Sequence, residues 1–186
     1  MQLGDTYWMQ LSRTSGMTFL VNSSWSGSRV SSYNGDAVST FLSTARVTSL
    51  GRYGVPDVIL IAGGTNDWGH NYNKLGSYST GPVYNDSVTF RGAYAMMLFR
   101  LQQKYPNTKI VCLSIFPRSQ GYSAANNQGW TQSQANASIK KIAQDFGCYY
   151  IDCTTVAWSS DWNKYTIDKL HPRPEGCKLL AECIRK

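Results

Sequence analysis

Near the C-terminal end the chain reads Asp168-Lys169-Leu170-His171-Pro172. A carboxylate three residues ahead of a histidine can take the imidazole Nδ1–H and leave the other ring nitrogen to act as a general base toward a nucleophile. Two further segments hold groups suited to a developing negative charge. Gly64-Thr65-Asn66-Asp67 offers an Asn side-chain N–H, and Asn22-Ser23-Ser24-Trp25-Ser26-Gly27-Ser28 offers the backbone N–H of Gly27. Together they suit an oxyanion hole, which needs donors fixed around the reacting oxygen. Taken singly, each segment also reads as an ordinary turn, because Gly, Asn, Asp and Ser are common turn residues.

The elements that must hold these segments alternate between strand and helix. Residues 57–62 form a buried apolar run, and residues 17–21, 109–116 and 148–152 read as further strands. Helical spacing appears at residues 7–14, 36–50, 88–105, 134–146 and 174–185. Thr6 stands where it can cap the first helix and Gly16 where it can end it. This alternation predicts an α/β domain with a mostly parallel sheet. The polar motifs fall at the carboxyl ends of its strands, where ligands bind in open sheets of this kind. The stretch 68–86, rich in Gly, Asn, Ser and Tyr, is expected to be a long loop. His70 lies in it and reads either as a pocket residue or as an exposed loop histidine.

A strand ending in N-x-x-x-x-G, a strand ending in G-x-N-D and a C-terminal D-x-x-H-P, in this order and separation, resemble the conserved blocks of the SGNH (GDSL-like) hydrolases. The resemblance covers essentially residues 1–186 as a single domain. It implies a three-layer flavodoxin-like parallel sheet with strand order 2-1-3-4-5 and serine-type hydrolysis of esters without a cofactor. In that scheme His171 is the base, Asp168 orients it, and Gly27 and Asn66 form the oxyanion hole. The implied substrate is a small acyl ester, with a carbohydrate-linked acetyl group as one form.

The same family begins with an apolar strand leading into G-D-S, whose serine is the nucleophile. Here the only similar string is Gly4-Asp5-Thr6, with three residues ahead of it and no strand to position it. The following Tyr7-Trp8-Met9-Gln10-Leu11 resembles the helix that lies after the nucleophile in the family. The expectation is that the nucleophile block is missing, with Thr6 a weak substitute. Losing an internal strand leaves unpaired backbone groups and a gap in the core. A non-catalytic ligand- or carbohydrate-binding module on the same fold is the alternative.

Composition narrows the classes. The 186 residues are 42% hydrophobic and 16% charged, which fits one folded domain and argues against disorder. No apolar run approaches the ~20 residues of a membrane-spanning helix, and the first residues carry no signal-peptide pattern. The net charge is +7, but the cations are scattered rather than gathered in a stripe, so no nucleic-acid partner is expected. A domain for anionic polymers would show steeply salt-dependent binding. Five cysteines exclude a fully paired framework, leaving Cys153–Cys177 or Cys148–Cys183 as conceivable bridges. Two histidines and no ligand spacing argue against zinc. Trp25, Trp68, Trp130, Trp158 and Trp162 read either as packing residues or as a wall for sugar rings. Asn22, Asn85 and Asn136 begin N-x-S triplets of the kind that chance supplies in a Ser-rich chain.

Overall fold

The computed structural model describes residues 3–32, 40–69, 73–81, 86–119, 121 and 124–186. A 3-10 turn at Leu3–Asp5 leads into helix α1, Tyr7–Ser15. Thr6 occupies the N-cap position with extended backbone, but its side chain makes no capping bond, and Gly16 ends the helix in a left-handed conformation. Helix α2 (Thr44–Ser49), strand β1 (Val58–Ile61) and the short helix α3 (Thr65–Gly69) follow. Next come α4 (Phe90–Lys104), β2 (Lys109–Leu113), α5 (Gln132–Asp145) and β3 (Tyr149–Ile151). A 3-10 turn at Ala157–Ser160, α6 (Trp162–Tyr165) and α7 (Pro174–Arg185) complete the described chain. Thr131 begins α5 with a capping box, its hydroxyl taking the Gln134 N–H while the Gln134 side chain takes its own N–H.

The strands pair in parallel in the order β1-β2-β3. Ile59 lies beside Ile110, Ile61 beside Cys112, and Leu113 beside Ile151. Side chains alternate across the sheet, which divides the core in two. Ile59, Ile61, Ile110 and Cys112 pack with Tyr94, Met97 and Leu98 of α4 and Ile139 and Ile142 of α5. Leu60, Val111, Leu113 and Ile151 pack with Tyr7 of α1, Trp158, and Leu180 of α7. The result is a three-layer α/β/α arrangement.

Three expectations change. Residues 17–21 form no strand: they run without a ladder partner. An apolar run becomes a strand only when a neighbour takes its backbone groups, and here an open slot lies where that neighbour would be. The helix expected from Asp36 is described only at Thr44–Ser49, and residues 36–39 lie outside the described residues. The loop expected from residue 68 gives up its first residues to α3; His70 and Asn85 lie outside the described residues. The five cysteines are all free.

The slot measures about 910 Å³. Residues 17–25 form one wall and residues 57–62 of the β1 segment the other. Tyr7, Leu11 and Ile184 close one face, and Val47, Met97 and Leu101 the opposite face.

Helix α7 carries the turn that precedes it by a close approach. A Cβ on Gly176 would sit 2.1 Å from the Tyr165 carbonyl oxygen and 3.2 Å from the Trp158 indole nitrogen. Neither backbone nor buried indole can yield cheaply. Gly176→Ala is expected to destabilise the fold by about 2 kcal/mol, read as a lowered midpoint in urea unfolding.

Candidate active site

The turn between α6 and α7 builds the histidine pair. Thr166 and Pro172 bridge antiparallel, and the Ile167 N–H donates to the His171 carbonyl at 2.8 Å. Inside this closed turn Asp168 Oδ1 accepts the backbone N–H of Leu170 at 3.2 Å and of His171 at 2.8 Å. Its Oδ2 lies 2.7 Å from His171 Nδ1. Lys169 takes a left-handed backbone, φ 65°, at a cost of roughly 1 kcal/mol. The Thr166 hydroxyl accepts its N–H at 3.1 Å, and its carbonyl accepts the Ser119 N–H at 3.2 Å. The imidazole is open, with 68% of its side chain exposed. Its Nε2 has no partner among the described residues.

The hydrogen bonds from His171 hold the Asp168 carboxyl below the usual carboxylate range. A lowered carboxyl stabilises the fold above its unfolded value, and that contribution is lost as pH falls through the folded one. Because the group is half exposed, the energetic weight is small. A carboxyl-carbon NMR titration is expected to place Asp168 below about 3.9 and to move it back toward that value in His171→Ala.

The second part of the site joins the ends of two walls. Asn66 Nδ2 donates to the Ser28 carbonyl at 2.9 Å, which fixes the amide while leaving its second N–H. Asp67 is wholly buried. It accepts the Val30 N–H and the Ser31 N–H, each at 2.9 Å, and the Ser31 hydroxyl as well. Burial pushes the Asp67 carboxyl up, while the Ser31 and Val30 hydrogen bonds and Arg29 pull it down. Gly64 has φ 115°, open to glycine alone at little cost. A Cβ on Gly63 would lie 2.8 Å from Val30. Gly27 is exposed, with φ 71°, and its N–H makes no hydrogen bond among the described residues. Arg46, buried behind this loop, donates to the Ser23 carbonyl and places its guanidinium 4.7 Å from the ring centres of Trp25 and Phe41.

Arg118 connects the two parts. Its guanidinium stands 4.5 Å over the Trp68 ring, and Asp168 acts on its charge. Burial lowers its pKa and the Asp168 carboxylate opposes that. The motifs at the ends of β1 and β2 and the turn before α7 therefore lie on one side of the sheet. Thr6 is buried at the start of α1, and no hydrogen bond joins it to His171 among the described residues. Of the five tryptophans singled out from the sequence, Trp68, Trp130 and Trp158 are buried, Trp130 stacking on Phe90 at 5.5 Å. Trp162 is partly buried, and Trp25, beside Gly27, is 47% exposed. No group of three His, Cys, Asp or Glu side chains among the described residues could hold a metal, and no helix there is long and apolar enough to cross a membrane.

Sequence reasoning missed Asp67, Arg46 and Arg118. The one available signal was Asp67 itself, an acid directly after Asn66 at the end of an apolar strand.

The chain matches the model of the GDSL-like lipase/acylhydrolase family over residues 1–182. It belongs to that family. Among solved structures it is similar to a protein of Lactobacillus plantarum at 27% identity and TM-score 0.77, covering 97% of this chain and 85% of that one. A candidate GDSL-like lipase of Bacteroides ovatus matches at 23% identity and TM-score 0.73, over 99% of this chain and 78% of that one. An acetyl xylan esterase matches at 20% identity and TM-score 0.67, over 97% and 89%. No curated protein matches significantly. Membership and fold together place the chain broadly among esterase-type hydrolases.

Proposed function

We propose that these residues supply the base and oxyanion hole of a serine-type ester hydrolase whose nucleophile lies on a strand outside this chain's 186 residues. The observation that carries it is the Asp168–His171 pair, held at 2.7 Å in a closed turn with Nε2 left open. His171 Nε2 takes the serine proton as the hydroxyl oxygen attacks the ester carbonyl. The Gly27 N–H and the free Asn66 N–H bind the resulting oxyanion. Collapse expels the alcohol, which takes the proton from His171, and water then releases the acyl group by the same route. Asp168 holds the imidazole in the tautomer with its proton on Nδ1 and stabilises the imidazolium. The substrate is a small acyl ester. A carbohydrate-linked acetyl group suits the exposed Trp25 ring beside Gly27, since an aromatic face can lie along a sugar.

The test is aryl acetate hydrolysis by a protein in which an apolar strand ending in Gly-Asp-Ser is joined ahead of residue 1. Turnover is expected, and Asn66→Ala in that protein should lower kcat by about 10²–10³-fold. Substrate binding without turnover would favour the binding-module reading and overturn this one.

A further inference from the structure

We propose that Cys153 and Cys183 form a site of oxidative modification, closing a disulfide that ties the end of β3 to α7. Closing this bridge requires no hydrolase activity.

The sheet sorts the five thiols. Cys112 and Cys148 pack on the face that α4 and α5 cover, while Cys153 and Cys183 pack on the face that α1 and α7 cover. A bridge from Cys148 to Cys183 therefore has the sheet in its way. Cys177 lies on α7, and its sulfur takes the backbone N–H of Tyr7. Cys183 is turned elsewhere. Its Sγ stands 3.5 Å from the Asp152 carbonyl oxygen, to which its S–H donates. That carbonyl belongs to the peptide bond leading into Cys153, and the Cys153 and Cys183 thiols hydrogen-bond to each other. Cys183 has a single proton and gives it to the carbonyl, so the donor between the two sulfurs is Cys153. Sulfurs already in hydrogen-bond contact need only a side-chain rotation to close to the ~2 Å of an S–S bond.

Exposure sets the order of events. Cys183 is partly exposed and Cys153 is wholly buried. A small disulfide such as oxidised glutathione therefore reaches Cys183 first. The Cys183 thiolate attacks one sulfur of the reagent, releases one glutathione thiolate and keeps the other half as a mixed disulfide. The Cys153 sulfur, its proton lost to the medium, then attacks Cys183 Sγ and expels the second thiolate. Two protein thiols are oxidised, one reagent disulfide is reduced to two thiols, and the two protons leaving the protein end on those thiols. Burial pushes the Cys153 thiol up, so the second step is the slow one. The loop closed in this way, residues 154–182, contains Trp158, α6 and the Asp168–His171 turn. Joining its ends removes chain entropy from the unfolded state.

The experiment exposes the folded 186-residue protein to oxidised glutathione, blocks the remaining thiols and digests the product with trypsin. The expected product links the peptide of residues 142–164 to that of residues 179–185. Its Tm should lie roughly 5–10 °C higher until dithiothreitol returns it. Cys148→Ser should still form the link, which assigns it to Cys153 within the first peptide. Cys153→Ala should halt at a glutathione adduct on Cys183. Cys183→Ser, at a partly exposed position, should fold normally and lose both the link and the rise in Tm. The proposal is overturned by thiols that do not react, by a link between other cysteines, or by a Cys183 adduct in the parent protein that never resolves into a bridge. A rise in Tm that persists in Cys183→Ser overturns it as well.

Discussion

In the strand-completed protein, His171→Ala is expected to lower kcat/KM for an aryl acetate by about 10⁴-fold, equivalent to about 5 kcal/mol of transition-state stabilisation. The fold should hardly notice. The imidazole is 68% exposed, and the turn that carries it is closed by backbone bonds from Ile167 and by the Thr166–Pro172 bridge. The Asp168 Oδ1 contacts to the Leu170 and His171 N–H groups survive the substitution. Thermal unfolding should therefore be unchanged while activity vanishes. Thr6→Ala in the same protein should leave activity intact. Loss of activity in both variants would make Thr6 the nucleophile and remove the need for a serine from elsewhere.

Asp67→Ala should act in the opposite way, on stability first. Its carboxylate is wholly buried and receives two backbone N–H groups and a hydroxyl from residues 30 and 31. Truncation strands all three donors where water does not reach, and each such orphan is costly. A loss of about 4 kcal/mol is expected, seen as a Tm lower by roughly 10 °C. Asp67→Asn keeps one oxygen acceptor and should lose less. A near-neutral Asp67→Ala would show that residues 28–31 are held by other contacts, chiefly Thr40, whose hydroxyl donates to the Val30 carbonyl at 2.7 Å. Because the same loop carries Ser28, on which the Asn66 amide rests, any activity in Asp67→Ala should fall along with stability.

Local chemistry was legible where it is contiguous. Asp168 and His171 sit three residues apart, so their pairing depends on one turn. Helix α7 begins at Pro174 because proline suits a first helical turn, and its bounds match the expectation. The apolar runs at residues 57–62, 109–116 and 148–152 contain β1, β2 and β3, each shorter than its run. Residues 17–21 have the same apolar character, yet a ladder depends on a neighbour and not on composition. An open slot lies between residues 17–25 and the β1 segment, on the side of β1 where the resemblance implies a further strand. Helices α3 and α6 escaped notice because Gly-Thr-Asn-Asp and the polar residues around Asp161 read as turns. Asp161 in fact caps α6 by accepting the Lys164 N–H at 3.1 Å. Asp67 was illegible because its partners lie 36 and 37 residues away.

The bare edge of β1 also bears on how the chain behaves in company. Natural sheets guard their margins with charges, prolines or bulges, since an open edge templates assembly with other chains. Val58-Ile59-Leu60-Ile61 carries none of these guards within it, and Pro56 and Asp57 stand only at its start. With Ala62 the run makes five apolar, uncharged residues without proline, the shortest window that counts as aggregation-prone. Heating that exposes this edge therefore favours association between molecules, and the solubility of the unfolding protein depends on how well the β1 edge stays covered.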